Sequence, residues 1–166
     1  MSYPTVSVLI PTYKHEDYIG QTLDSILEQE YDGKIEVHVF DDCSPDKTAT
    51  IVKGYANKHP DVIILHENPE NLGSGLASFA HHQVPITSPF WCILEGDDYW
   101  CDTSALKDRV DALMDNPNLV ACAGMTNILK DGKVDTPLTT CLQTYNLADM
   151  AYFKRVYTTY VHTSSI

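Results

Sequence analysis

Positive charge is scarce in this chain. Its 166 residues carry 11 Lys and Arg against 23 Asp and Glu, a formal net charge of −12, and the basic residues form no run. A nucleic-acid partner needs Lys and Arg patches to neutralise its phosphates, so the balance excludes one. Long apolar runs are missing too, and nothing approaches the roughly 20 residues of a membrane-spanning helix. No signal peptide precedes the first strand, so a cytoplasmic protein is expected, with any membrane association supplied by a partner or by a missing C-terminal region. Cysteines number five (Cys43, Cys92, Cys101, Cys122, Cys141), an odd count without paired metal-site spacing, which predicts reduced thiols. No G-x-G-x-x-G follows any strand, which excludes a dinucleotide oxidoreductase of that type. Repeats, linkers and low-complexity tracts are lacking. What remains, at 43% hydrophobic, is enough for one domain with a real core.

β-rich and helix-period segments alternate along the chain. Strands are predicted at 5–10, 35–40, 62–65, 90–94 and about 119–125. Between them, Ile19, Leu23, Ile26 and Leu27 share one face of a helix over about Glu16–Glu28. Ser44 and Pro45 open a second helix, with Pro at its first position and Ile51, Val52, Tyr55 and Ala56 on its buried face. A third follows the Asn68–Gly75 loop to about Gln83, and a fourth runs from about Thr103 to Met114, ended by Asn116-Pro117. This alternation argues a doubly wound, mainly parallel α/β sheet flanked by helices. After Thr126 the pattern changes: Asp131-Gly132 signals a turn, Asn146–Phe153 reads as a short helix, and Val156–Ile166 reads as a strand that stops without a cap, as if cut.

Three loops follow strand ends and should share one sheet edge, where such folds bind ligands: Pro11-Thr-Tyr-Lys14, Asp41-Asp-Cys-Ser-Pro-Asp46 and Glu95-Gly-Asp-Asp98. The first offers a hydroxyl and an aromatic ring, suited to the edge and face of a base. The second offers a carboxylate able to accept from a base N–H or a ribose hydroxyl. The third ends an apolar run in three carboxylates, which repel one another unless a cation relieves them. Few, hard oxygen ligands suit Mg²⁺ or Mn²⁺ shared with a substrate's phosphates. Singly, each loop has a plainer reading: a packed aromatic at Tyr13, a helix-capping cluster at Asp41-Asp42, and a solvated N-cap loop at Glu95–Asp98. His81-His82 is a poor metal pair, because adjacent helical residues point about 100° apart.

Val6-Ser-Val-Leu-Ile-Pro-Thr-Tyr13, Ser25-Ile-Leu-Glu-Gln29, Asp41–Asp46, Asn71-Leu-Gly73 and Glu95–Asp98, in this order, resemble the inverting family 2 glycosyltransferases with the GT-A fold. The resemblance covers residues 5 to about 126 closely, and His162-Thr-Ser-Ser165 is similar to a segment near the family's acceptor side. It implies a donor-binding region over residues 1–126, the start of an acceptor region over 127–166, a nucleotide-diphosphate-sugar donor (commonly a UDP-sugar) and Mn²⁺ or Mg²⁺. It also implies transfer of a hexosyl or N-acetylhexosaminyl group to a glycan, lipid-linked or protein acceptor, as in cell-envelope polysaccharide biosynthesis. Pro11, Thr12, Tyr13, Asp42, Asn71, Gly73, Glu95 and Asp97 would then border the donor, with Asp42 on the pyrimidine and Asp97 near ribose and sugar. Asp98, with Asp97, would hold the metal.

The chain departs from the family pattern at four places. Glu95 stands where the family usually has Asp, Ser78 and Phe79 where an Arg-Asn pair is common, and Cys43 where Gly is common. No residue between Thr126 and Ile166 matches the family's general base, Asp131, Asp135 and Asp149 reading as turn or cap residues, so the base is expected beyond Ile166. The competing classes are a sugar-1-phosphate nucleotidyltransferase, disfavoured by the glycine-free Pro11–His15 loop, and a non-catalytic nucleotide-sugar-binding fragment.

Overall fold

The computed structural model describes residues 2–116, 118–124, 127–130, 133–137, 143–146 and 162–163. β1 (Val6–Thr12), β2 (Ile35–Asp41), β3 (Ile63–Glu67) and β4 (Phe90–Ile93) form an all-parallel sheet in the order β3-β2-β1-β4. Val6 to Ile10 are buried without interruption, as are Val37 to Asp41. Continuous burial without alternation means that both faces of the central strands are covered, which is why these segments are mostly apolar and why Ser7, His38 and Asp41 are buried with them.

The covering helices are α1 (Ile19–Leu27), α2 (Thr48–Lys58), α3 (Gly75–His82) and α4 (Ala105–Asp115). Ile19, Leu23 and Ile26 of α1 and Leu106 and Val110 of α4 join Val8, Ile10, Val37, Val39 and Leu94 in one core. Each such side chain, fully buried, contributes roughly 1.5–3 kcal/mol relative to exposure. The strand order reverses at β1, with β2 on one side and β4 on the other. That reversal opens a crevice beyond the carboxyl ends of the strands.

Five expectations change. β5 (Leu119–Ala123) does not extend the parallel sheet; it pairs antiparallel with β8 (Gln143–Asn146), through which Asn146 belongs to a strand. The helix expected at Asn146–Phe153 otherwise lies outside the described residues. α1 begins at Ile19, after a turn over 16–18. α2 begins at Thr48 and not at Pro45, because Asp46 Oδ1 accepts both the backbone N–H and the hydroxyl of Thr48 and so closes a turn before the helix. Asp135 lies within β7 (Lys133–Pro137), not in a turn or cap. β6 (Asn127–Lys130) and β7 pair antiparallel with Lys130 opposite Lys133, around the predicted Asp131-Gly132 turn, whose own residues are outside the description along with Asp149 and Cys141. Of the final strand-like segment only β9 (His162–Thr163) is described, parallel to β6.

Candidate functional site

β1 ends between two acidic corners. On one side Thr12 O accepts the Asp42 N–H; on the other Pro11 O accepts the Gly96 N–H, each at 3.0 Å. Leu94 N–H to Leu9 O carries the ladder past the last residue of β4, so the acidic loop leaves the sheet already aligned. Between the corners lies an open cleft of roughly 380 Å³, lined by Pro11, Thr12, Tyr13, His15, Phe40, Asp42, Asn71, Gly73, Ser74, Gly75 and Glu95. Pro11, Thr12, Tyr13, Asp42, Asn71, Gly73 and Glu95, all singled out in the sequence, therefore meet in one place. Asp97 and Asp98 do not reach its wall.

The first corner is consumed by its own fold. Asp42 is buried, and its Oδ1 accepts Asn68 Nδ2–H at 2.6 Å and Leu72 N–H at 2.8 Å, while Oδ2 accepts Gly73 N–H at 2.9 Å. A carboxylate has about four acceptor positions, so roughly one is left for a ligand. The Asp42 carbonyl accepts Asn71 Nδ2–H at 3.0 Å, and Gly73 turns the chain at φ +72°. Asp42 thus moulds the 68–73 segment into the cleft wall. Ser78, in the place of the family's Arg, is buried, and its Oγ accepts from Asn68. Cys43 sits at φ +58°, which explains the glycine common at that position: the left-handed region is free to glycine and strained for cysteine.

Behind this corner an aromatic layer backs the cleft residue Phe40. Its ring stacks on His66 at 4.7 Å and meets Phe79 edge-on at 4.6 Å. His66 is hydrogen-bonded to His38 (Nε2 to Nδ1, 3.2 Å) and lies 5.2 Å from the His82 ring. Burial pushes His66 down to about 4, with His38 and His82 adding to the effect, and burial lowers His38 and His82 as well. The rings of His81 and His82 are perpendicular, and among the described residues no group of three His, Cys, Asp or Glu forms a metal cage.

The second corner keeps its carboxylates for other uses. Glu95 is exposed at the cleft, and Asp97 Oδ2 lies 3.8 Å from His15 Nε2. Asp98 is 0% exposed, and its N–H donates to Glu95 O. α1 and its C-terminal end grip this loop: Thr22 Oγ1 donates to Gly96 O, Trp100 N–H donates to Ser25 Oγ, and Gln29 donates to Asp102 O while accepting Leu106 N–H. Ser25 and Gln29, noticed in the sequence only as parts of a motif, are thereby explained as clamps. Glu95 and Asp97 supply hard oxygen atoms but no closed cage, which fits a divalent cation that completes its shell with phosphate and water.

The profile of glycosyl transferase family 2 matches residues 7–164. The chain belongs to that family. It is similar to a mannosyltransferase from Pyrobaculum calidifontis solved with GDP-Man and Mn²⁺ (31% identity, TM-score 0.60, 76% of this chain and 36% of that one). It is also similar to TarS of S. aureus residues 1–349 in complex with UDP (29% identity, TM-score 0.64, 80% and 38%). Among curated relatives, the processive diacylglycerol beta-glycosyltransferase of Mycoplasma pneumoniae is 28% identical over 109 residues, 65% of this chain and 31% of that protein. The chain spans about a third of the length of these relatives. These neighbours are GT-A glycosyltransferases, and the mostly parallel sheet flanked by helices described above is of that fold. Family membership sets the nucleotidyltransferase alternative aside.

Four residues of the cleft wall, His15, Phe40, Ser74 and Gly75, escaped the sequence reading of the site, and His15 is the one with chemistry to offer. His15 was noted only as the last residue of a glycine-free loop, yet it faces both Thr12 and Asp97. The signal available was its position, two residues past Tyr13 in a loop already chosen as ligand-facing.

Proposed function

We propose that residues 1–126 of this family 2 glycosyltransferase form the donor site of an inverting, divalent-metal-dependent sugar transfer, with a UDP-sugar as the expected donor. The observation that carries this reading is the cleft at the β1 reversal, where Tyr13, Asp42 and Glu95 converge from three strand ends. The half-exposed Tyr13 ring offers a stacking face to the base. The remaining acceptor position of Asp42 takes a base or ribose donor, and the exposed Glu95 faces the diphosphate side.

Within this proposal the metal goes to Asp97 with Glu95 and not to Asp98, because Asp98 is buried at 0% exposure while Glu95 and Asp97 keep exposed surface. When bound, that cation supplies neutralising charge to the leaving diphosphate. Inversion needs a carboxylate base on the acceptor side, which this reading places beyond Ile166, so residues 127–166 begin the acceptor region and the donor half alone transfers poorly. A hexosyl or N-acetylhexosaminyl group moved to an envelope polysaccharide is the expected chemistry. The cytoplasmic placement is part of the proposal; Cys43, Cys92, Cys101 and Cys122 are free thiols, and no helix among the described residues is long and apolar enough to cross a membrane.

Calorimetric titration with UDP and GDP, each with Mn²⁺ and with EDTA, tests the site. Metal-dependent binding of one of them is expected, and affinity equal with and without metal for both overturns the metal role. Side-by-side transfer assays of this chain and a longer native form test the base; equal turnover would place it within residues 1–166.

A further inference from the structure

Among the described residues nothing that lines the cleft is a Lys or Arg, and the only nitrogen-bearing titratable side chain on its wall is His15. Its backbone is pinned at both ends. The His15 N–H donates to Thr48 Oγ1 at 2.9 Å, and its carbonyl accepts the N–H groups of Tyr18 and Ile19 at the entry to α1. The ring is pinned as well, Nδ1 lying 3.2 Å from the buried Thr12 hydroxyl. Only Nε2 is left to face outward, and it faces Asp97 Oδ2 at 3.8 Å.

The acidic loop is built to sit against this pair. A Cβ added at Gly96 would fall 2.5 Å from Thr12 Oγ1 and 2.7 Å from His15 Nδ1, so the backbone approaches them at a distance only glycine permits. With Thr12 O–H donating to Nδ1, it is Nε2–H that is directed at the carboxylate. A separation of 3.8 Å is ion-pair distance and not a hydrogen bond, and polar contacts in ligand-free sites commonly tighten when the ligand arrives.

We propose that His15 is a positioning residue for Asp97: Thr12 fixes the imidazole, the imidazole fixes the carboxylate, and the carboxylate meets the metal–diphosphate in one orientation. The inference rests on the donor-site reading above and deepens it. Outer partners that orient a metal-binding carboxylate or imidazole are typically worth about 10- to 100-fold in metal affinity or activity. Loss of the imidazole should therefore weaken the metal-dependent part of nucleotide binding more than the rest.

The experiment compares wild type, His15→Ala and His15→Gln by calorimetry with UDP and GDP, in Mn²⁺ and in EDTA, alongside the thermal midpoint of each protein. Gln places an amide N–H near the position of Nε2. The expected result is a loss of about tenfold or more in Mn²⁺-dependent affinity for His15→Ala, recovery of most of it in His15→Gln, and a clearly smaller loss in EDTA than in Mn²⁺. ¹⁵N spectra of the wild-type imidazole should show the Nε2–H shifting when Mg²⁺ and nucleotide are added together. His15→Ala binding as wild type does in Mn²⁺ overturns the proposal, as does an equal loss in EDTA, which would assign His15 to the nucleoside or to the fold. A wild-type protein that binds neither nucleotide overturns the donor-site reading itself, and this proposal with it.

Discussion

Two acidic corners flank the end of β1, two residues of carboxylate on one side and three on the other, and they are put to opposite uses. At Asp41-Asp42 the oxygen atoms accept backbone and amide N–H groups: Ser44 N–H on Asp41, and Asn68, Leu72 and Gly73 on Asp42. At Glu95–Asp98 the loop is held by its backbone, through the Gly96 N–H and carbonyl, with Glu95 exposed at the cleft and Asp97 Oδ2 facing His15. A loop that hangs on its backbone can spend its carboxylates on chemistry, whereas one that hangs on its carboxylates cannot. Acidic residues at a strand end are therefore not evidence of a metal site until the origin of the loop's own hydrogen bonds is known.

The contrast breaks most visibly at Asp42. Asp42→Ala strands three N–H donors and should cost roughly 3 kcal/mol, seen as a fall of about 6–12 °C in the thermal midpoint of a domain this size. An unchanged midpoint would show that the first corner is held by something else. Asp97→Asn should do the reverse, reducing Mn²⁺-dependent nucleotide affinity by about 10- to 100-fold while moving the midpoint by only a degree or two. Asp98→Ala, which empties a fully buried position, should behave like Asp42→Ala and lower the midpoint first. Metal-dependent binding lost in Asp98→Ala at an unchanged midpoint would return the ligand role to Asp98.

Acid should separate the corners further. The imidazole of His66 is held neutral in the fold down to about 4, against an unfolded value near 6.5, with His38 and His82 lowered beside it. Between those limits the unfolded chain binds more protons, so stability is complete above about pH 6.5 and declines as the pH falls toward 4. Because His66 is partly solvated, the loss is on the order of 1–2 kcal/mol and not the full shift. Glu36, the charged neighbour of His38, acts in the opposite direction. Urea midpoints measured across this range should slope for wild type and flatten for His66→Gln; parallel slopes would exonerate the histidine layer. Smallest of all, Cys43→Gly should add about 0.5–1 kcal/mol by relieving the left-handed backbone, net of glycine's greater chain entropy. Destabilisation on that change would mean the cysteine side chain contributes packing that outweighs its φ.

How far the fold was legible depends on where the hydrogen bonds go. β1, β2 and β4 were readable because strands covered on both faces must be largely apolar, and Val6–Ile10 and Val37–Phe40 are, apart from the buried Ser7 and His38. β5 was readable as a strand but not as a deserter from the parallel sheet, since pairing direction leaves no mark on so short a run as Leu119–Ala123. At the site, Tyr13, Asp42 and Glu95 were found because topology alone sends strand ends to one edge, whereas Asn71 and Gly73 came only from the family resemblance. The plainer reading of Asp41-Asp42 as a helix-capping cluster held for neither residue: Asp41 accepts Ser44 N–H in a turn ahead of α2, which starts at Thr48, and the role of Asp42 depended on a turn 26 to 31 residues away. His15 and the depth of Asp98 depended on rotamer and burial, which no local pattern encodes.

The bonds Asp42 makes across those 26 to 31 residues also set an order of assembly. They cannot close until β2 and β3 have paired, so this wall of the cleft is completed late in folding and its amides are free to open without the sheet. Hydrogen exchange at Leu72 and Gly73 should therefore run ahead of exchange at Val8 and Val39, and a bound nucleotide should slow the first pair far more than the second. The backbone amides of one short turn would then serve as a built-in gauge of occupancy, readable without any assay of sugar transfer.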